Sequence, residues 1–297
     1  DLLGNADTGD RISMRAVFAT PLDVVGASLV DTDQLPSGGP ALVAVPDLGN
    51  MLLILDITDP ADDDYGPGTY TYPQDAVFPP GSYDILNFQV GSDAENIIFK
   101  FSMAGPVENS WGSPNGLSVQ TFDIYIDTDG DGSGGVALLP GRNLALEDGS
   151  AWDYAITVEG WEAGVFIPGE GGPERIAAAS DLLIVADPGQ QKVTVRVPMS
   201  ILGSNPETWR YAAMVLSQEG YPSGGVMRVR DVNAVAEQWR IGGAPIGSTN
   251  HTRVIDLVWA ESGQQETWLS TFTPSTAAQT ELTEADFARI GLIATGE

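Results

Sequence analysis

Acidic residues at every second position form the most distinctive chemical pattern in this sequence. Residues 127–135 read Asp-Thr-Asp-Gly-Asp-Gly-Ser-Gly-Gly and directly follow a strand-like segment. Carboxylates at this spacing, separated by Gly, let one tight turn direct several oxygens at a hard cation, so the candidate Ca²⁺ ligands are Asp127, Asp129 and Asp131. An EF-hand loop would have Glu where this chain has Leu138, so a complete EF-hand is not predicted. An acidic hairpin turn is the alternative.

A second acidic segment, residues 59–68, reads Asp-Pro-Ala-Asp-Asp-Asp-Tyr-Gly-Pro-Gly. Its candidate Ca²⁺ ligands are Asp59, Asp62, Asp63 and Asp64. Pro and Gly restrict the backbone here, so the carboxylates are presented by a stiff turn. Two carboxylates about 4 Å apart repel by ~1 kcal/mol in water and ~4 kcal/mol at an effective dielectric constant of about 20. A tight cluster therefore needs a cation, whereas a splayed one is a solvated linker.

Catalytic residue combinations are scarce. The chain has no Cys, which excludes thiolate catalysis and thiolate metal sites, and a single His excludes multi-histidine zinc sites. That residue, His251, lies in a loop-like segment and is predicted to be polar surface. None of the 41 acidic residues lies in a recognisable glycosidase setting. The sequence therefore predicts a protein that is not an enzyme.

The charge balance limits the classes of partner that the protein is expected to bind. The formal net charge is −28, from 41 acidic and 13 basic residues in a chain of 297. Such a surface repels phosphate backbones and anionic lipids, so nucleic acid and membrane surfaces are poor partners, whereas cations and neutral polymers are suitable. No segment approaches the ~18 apolar residues that span a bilayer. The first residues, Asp-Leu-Leu-Gly, are those expected of a processed, secreted protein.

Six of the seven Trp residues divide by their surroundings. Trp111 and Trp161 lie in turn-rich segments and are candidates for stacking on sugar rings, with the core rim or a subunit interface as alternatives. Four others lie in apolar, strand-like patterns and are predicted to be core: Trp152, Trp209, Trp239 and Trp259.

Short apolar or alternating runs bounded by turn residues recur along the chain and predict an all-β, two-sheet antiparallel β-sandwich. They cover residues 52–57, 84–90, 97–103, 121–126, 152–158, 182–186, 193–197, 211–216 and 254–259. A short C-terminal helix is predicted at residues 284–289, capped by Thr283, and a single helical turn after Pro198. The predicted domains are an N-terminal extension, residues 1–55, a Ca²⁺-binding sandwich module, residues 56–272, and a helical tail, residues 273–297.

Several segments together resemble a known family. They include Asp-Asp-Tyr-Gly-Pro-Gly-Thr-Tyr-Thr-Tyr-Pro at residues 63–73, Phe-Pro-Pro-Gly-Ser-Tyr-Asp-Ile at 78–85 and Trp-Arg-Ile-Gly-Gly at 239–243. Residues 56–272 resemble the C-terminal module of glucodextranase and related amylase- or pullulanase-type enzymes, which is similar to family 9 carbohydrate-binding modules. The resemblance implies a sandwich, bound Ca²⁺ and sugar binding or cell-surface anchoring, with catalysis in another domain. Within the matched segments, Asp84 becomes a further candidate Ca²⁺ ligand and Tyr221 a further candidate sugar contact.

The predicted function is a non-catalytic, extracellular, calcium-stabilised module that binds polysaccharide or a cell-surface polymer. One alternative is a self-assembling subunit of an extracellular filament or surface layer, in which residues 1–50 add edge strands to a neighbouring molecule as a homo-oligomer. Another is a b-type haem domain of the same sandwich superfamily, whose axial ligands would come from one His, two Lys and six Met.

Overall fold

β-Strands dominate the structure, a computed structural model that describes residues 51–130, 132, 135–219 and 229–295. The first seven strands are β1 (Leu52–Thr58), β2 (Ile85–Ser92), β3 (Asn96–Met103), β4 (Gln120–Asp127), β5 (Leu138–Leu139), β6 (Leu144–Leu146) and β7 (Tyr154–Glu159). They are followed by β8 (Ala163–Ile167), β9 (Glu174–Ala178), β10 (Leu183–Asp187), β11 (Lys192–Pro198), β12 (Arg210–Ser217), β13 (Val254–Leu257), β14 (Ala288–Ile290) and β15 (Ile293–Ala294). The two α-helices described are α1 (Met199–Leu202) and α2 (Gln264–Leu269).

Two antiparallel sheets form the body of the protein. The first has the strand order β1-β2-β3-β11-β10, and the second has the order β13-β12-β4-β7-β8-β9, with β15 also paired to β12. Large apolar residues alternate along these strands and fill the space between the sheets, as when Phe101 and Phe122 bring their ring centroids to 4.8 Å. The predicted β-sandwich is confirmed.

A small third sheet covers the outer face of the second. It consists of β5, β6 and β14, with β14 running parallel to β6. A second apolar core lies beneath it, and for this reason every residue of β4 is buried, on both faces. A buried ion pair joins the layers, since Arg142 Nε and Nη2 donate to the two oxygens of Asp123 at 2.5 and 3.0 Å.

All nine predicted strand segments contain a strand, and the helical turn after Pro198 is confirmed as α1. The helix predicted at residues 284–289 is shorter, because Glu284–Asp286 form a 3₁₀ turn and the chain from Ala288 pairs with β6. The proposed strands and intermolecular role of residues 1–50 lie outside the described residues. None of the described helices, of which α2 is the longest α-helix with 6 residues, has the length and apolar character needed to cross a membrane.

Candidate functional site

Three aspartates from two distant parts of the chain meet at the end of β1, close to β13. Asp59 directly follows β1, Asp63 lies in the turn after it, and Asp256 is in the middle of β13. One carboxylate oxygen from each lies within 4.8 Å of the others, and we call these three residues the seam cluster. Asp256 is fully buried and Asp59 nearly so, at 4% exposure.

The carboxylates of this region are held by backbone N–H groups through one oxygen only. Trp259 N donates to Asp59 Oδ1 at 2.7 Å, and Ile85 N donates to Asp256 Oδ2 at 2.6 Å. The second oxygen of each residue, and Oδ1 of Asp63, are buried and have no hydrogen-bond donor among the described residues. Buried polar atoms normally have a partner, so these oxygens are candidates for binding a cation or a water molecule.

Two more carboxylates flank the seam cluster. Asp84, just before β2, accepts a hydrogen bond from Asp62 N at 2.9 Å through Oδ2, whereas its Oδ1 is buried without a donor in the described chain. Glu266, on α2, has a buried Oε2 in the same condition. The charges of Asp84 and Glu266 both raise the pKa of Asp63.

The pKa values reflect burial and mutual repulsion. Burial raises the pKa of Asp59 to about 9, Trp259 N–H opposes that shift, and the charges of Asp63 and Asp84 add to it. Burial and the charge of Asp84 raise the pKa of Asp63 to about 7, and burial raises that of Asp84 to about 6. Burial, together with Asp59 and Asp63, raises the pKa of Asp256 well above its ordinary value. Burial and mutual repulsion thus disfavour the ionised forms of these carboxylates.

The turn that carries Asp63 is fixed on several sides. Gln265 on α2 donates to Asp63 O at 2.5 Å and accepts from Leu257 N at 2.5 Å, so one buried amide connects α2, β13 and the turn. Asp62 has φ of 62°, in the left-handed region, which Asp tolerates better than most residues. Gly66 also has positive φ, and its N–H donates to Ile255 O at 2.7 Å. The carboxylates are therefore preorganised.

The predicted residues of this segment separate in the structure. Asp59 and Asp63 converge, and Asp84 lies beside them, whereas Asp62 is exposed and the carboxylate of Asp64 accepts a hydrogen bond from the Tyr72 hydroxyl. Sequence reasoning missed Asp256 and Glu266. A carboxylate in the middle of the apolar run Val-Ile-Asp-Leu was the available signal for Asp256. Nothing comparable marked Glu266.

The other acidic segment forms a second group, which we call the loop cluster: Asp127, Asp129 and Asp153, with ligand oxygens within 4.8 Å of one another. Arg210 forms an ion pair with Asp127, and Gly130 N donates to the same carboxylate at 2.7 Å. Asp153 Oδ2 accepts from both the N–H and the hydroxyl of Thr128, at 2.8 and 2.5 Å. The predicted ligand Asp131 lies outside the described residues.

Three tryptophans form an exposed aromatic surface at another place. Trp111, Trp161 and Trp239 are 37%, 36% and 40% exposed, and the Trp111 ring centroid lies 6.3 Å from that of Trp161 and 6.2 Å from that of Trp239. The prediction that Trp239 is core is wrong. Trp239 lies in a turn in which Glu237 and Arg240 pair, and not in a buried strand. Trp152 and Trp209 are buried as predicted, and Trp259 is partly buried.

This aromatic surface has a rigid base. Phe78 is buried beneath it, with edge-on contacts to Trp111 at 6.4 Å and to Trp239 at 6.0 Å. Arg230 lies over Phe78 and donates to Trp239 O at 2.6 Å. Glu159 accepts from Trp161 N at 3.0 Å. The candidate sugar contact Tyr221 lies outside the described residues.

His251 is buried, so its prediction as polar surface is wrong. Its Nδ1 lies 2.9 Å from Ser248 O, and its Nε2 lies 3.2 Å from Asp231 Oδ1. Both ring nitrogens are thus engaged in structural hydrogen bonds, which removes the support for His251 as a haem ligand or a catalytic base.

Comparison with known proteins defines the class. A family model described as the C-terminal binding module, SLH-like, of glucodextranase matches residues 54–283, and the chain belongs to this family. The resemblance seen in the sequence is thereby confirmed. The match is to a binding module and not to a catalytic domain. No curated protein matches the chain.

Proposed function

We propose that this protein is an extracellular, calcium-stabilised module that binds a neutral polysaccharide through the surface formed by Trp111, Trp161 and Trp239, and so attaches to a cell surface or polymer. The observation that carries the proposal is the meeting of three exposed indoles on one rigid base. Membership of a family of binding modules supports it.

The aromatic surface suits sugar rings for a physical reason. Soluble proteins rarely leave contiguous large apolar side chains exposed unless they contact something. Indoles offer flat, apolar area at a small cost in conformational entropy, and the apolar faces of pyranose rings stack on them. The rings here are tilted by 30° and 48° relative to Trp111, so they form a curved surface and not a flat strip.

The charge of the protein favours an uncharged ligand. With a formal net charge of −28, the chain repels anionic polymers at moderate salt. Close to the aromatic surface, Glu219 is paired with Arg240 at 2.5 Å and with Arg230 at 3.7 Å, so the polar rim beside Trp239 has no unpartnered acidic group at Glu219. Hydroxyl groups are the ligand groups that such a rim accommodates.

Affinity electrophoresis of the full chain in gels containing α-glucan, xylan or cell-wall polymer, with Ca²⁺ present, tests the proposal. We expect retardation by at least one of these polymers. Replacing Trp111→Ala removes the central ring, worth roughly 1 kcal/mol, and weakens binding by about fivefold or more. The control is Ile246→Ala, which removes an apolar side chain that is 92% exposed. A lack of retardation in every gel, or equal retardation of wild type and Trp111→Ala, would contradict the proposal.

We propose Ca²⁺ as the stabilising ion because the described residues include two groups of three carboxylates whose oxygens are close enough to share one ion. Chelation should then lower the melting temperature. The alternative of self-assembly depends on residues 1–50 and stays a prediction.

A further inference from the structure

We propose that the seam cluster is the Ca²⁺ site of this protein, and that Asp256 completes a ligand set begun by Asp59 and Asp63. The inference rests on the proposed calcium stabilisation and narrows it to one place. The site joins residues almost 200 positions apart, at the point where β1, the turn after it, β13 and α2 meet.

The first support is the lack of an internal counter-charge. Asp256 is fully buried and carries an oxygen with no donor in the described part of the chain. None of the ion pairs described between residues 51 and 295 involves Asp59, Asp63 or Asp256. Buried carboxylates without a partner are rare in folded proteins, because desolvation is not offset. A bound cation supplies the missing partner.

The second support is how the carboxylates are aimed. In Asp59, Asp84 and Asp256, a backbone N–H fixes one oxygen and the other is left without a donor. The fixed oxygen sets the orientation of the whole planar group, so little conformational entropy is lost when the second oxygen binds an ion. A set of solvated aspartates would not be held in this way.

The third support is the match between spacing and chemistry. Two oxygens bound to one Ca²⁺ at about 2.4 Å can be at most about 4.8 Å apart, and the ligand oxygens of Asp59, Asp63 and Asp256 satisfy that limit. All the donors are oxygens, which selects a hard cation. Several carboxylates in a fixed but irregular arrangement suit Ca²⁺, which accepts flexible geometry, better than Mg²⁺, which keeps most of its waters.

Terbium luminescence tests the site directly, because Trp259, whose N–H binds Asp59, lies close enough to sensitise a bound Tb³⁺ ion. The full chain is titrated with Tb³⁺, and the bound Tb³⁺ is then displaced with Ca²⁺ or Mg²⁺. We expect a saturable signal that Ca²⁺ removes at a concentration at least tenfold below that of Mg²⁺. Equal displacement by the two ions, or no saturable signal, would overturn the proposal.

The deciding variant is Asp256→Asn, which removes one ligand charge but keeps a carbonyl oxygen to accept the Ile85 N–H. We expect its Tb³⁺ affinity to fall at least tenfold. The matched control, Asp129→Asn in the loop cluster, should leave the signal unchanged. Because Asp256→Asn also removes a repelling charge, its melting temperature in chelator should equal or exceed that of wild type, which shows that it folds.

Failure of this site and failure of the proposed function give different results. If chelation lowers the melting temperature of wild type and Asp256→Asn equally, calcium stabilises the protein from another place and the assignment of the seam cluster is overturned. Retardation by polysaccharide is measured separately and does not depend on that outcome. Loss of the Tb³⁺ signal in Asp129→Asn, with Asp256→Asn unaffected, would assign the ion to the loop cluster instead.

Discussion

The seam cluster and the loop cluster each bring three aspartates within reach of one ion, but they differ in what already balances their charge. In the loop cluster, Arg210 pairs with Asp127, and Thr128 supplies two donors to Asp153. In the seam cluster, the three carboxylates have no cationic partner among the described side chains, and each retains a buried oxygen without a donor. The two clusters thus have the same density of aspartates but differ in how far the surrounding protein already partners their carboxylates, and our proposal assigns the cation to the cluster with the deficit of partners.

The largest loss of stability is expected at the buried pair of Arg142 and Asp123, in which the cation that partners the carboxylate belongs to the protein itself. Both side chains are almost completely buried, at 1% and 0% exposure. Replacing Arg142→Met leaves Asp123 charged and unpaired, so we expect the free energy of unfolding to fall by about 3–5 kcal/mol. Urea denaturation with and without Ca²⁺ measures it. The loss should be the same in both conditions, and rescue by Ca²⁺ would show that this pair also behaves as an ion site.

Calcium bound at the seam cluster should stabilise the protein by a smaller amount than the ion pair of Arg142 and Asp123 does. At a dissociation constant of about 10⁻⁴–10⁻³ M, typical of extracellular modules, a tenfold excess of Ca²⁺ adds ~1.4 kcal/mol. Denaturation at this excess should show the full gain in wild type and at most ~0.4 kcal/mol in Asp256→Asn, whose affinity is expected to be at least tenfold weaker. An equal gain in both proteins would remove the distinction between the two clusters.

Removing the internal cation of the loop cluster should make it resemble the seam cluster. Replacing Arg210→Gln leaves Asp127, which is 1% exposed, without its ion pair. Because Arg210 is partly exposed, we expect a loss of stability of about 1 kcal/mol or less, together with a new, weak Tb³⁺ site. Terbium titration of Arg210→Gln in the Asp256→Asn background isolates that site. No added binding would mean that proximity of carboxylates is insufficient even without the arginine.

The smallest effect is expected at a carboxylate that is partnered and half-exposed. Burial opposes ionisation of Asp231, but the hydrogen bond with His251 and the charge of Arg253 outweigh it and hold the pKa of Asp231 well below its ordinary value. The ionised form is thus stabilised in the folded state, so its contribution is present above about pH 3.9 and is lost as pH falls further. Between pH 5 and pH 3, the melting temperature should fall less steeply with decreasing pH for Asp231→Asn than for wild type. A steeper fall for Asp231→Asn would mean that ionised Asp231 destabilises the folded state, and would contradict the prediction.

Much of the fold could be predicted from the sequence, because alternating apolar residues and frequent turn residues determine strands locally. The nine predicted segments from residues 52 to 259 all contain strands. The third sheet was missed because β5 and β14 have only two and three residues, too few to show a period. Its parallel pairing joins segments more than 140 positions apart, which no local pattern reveals.

Only the part of the candidate site that lies in one continuous segment could be predicted from the sequence. The aspartates of residues 59–64 indicated a turn. Partners far along the chain determine which of these carboxylates converge. Tyr72 satisfies Asp64, and Gln265 fixes the backbone of Asp63. Asp256 comes from a strand that reaches the site through sheet pairing. For Trp239, the apolar neighbours suggested a strand, whereas the turn between Glu237 and Arg240 presents its ring at the surface.

Crystals of the full chain grown with Ca²⁺, then soaked in Tb³⁺ for anomalous scattering, test the central claim most directly. The account predicts a strong anomalous peak between the carboxylates of Asp59, Asp63 and Asp256, and a weaker peak or none beside Asp127. A peak confined to the loop cluster, or no peak at the seam cluster with its carboxylates separated, would contradict it.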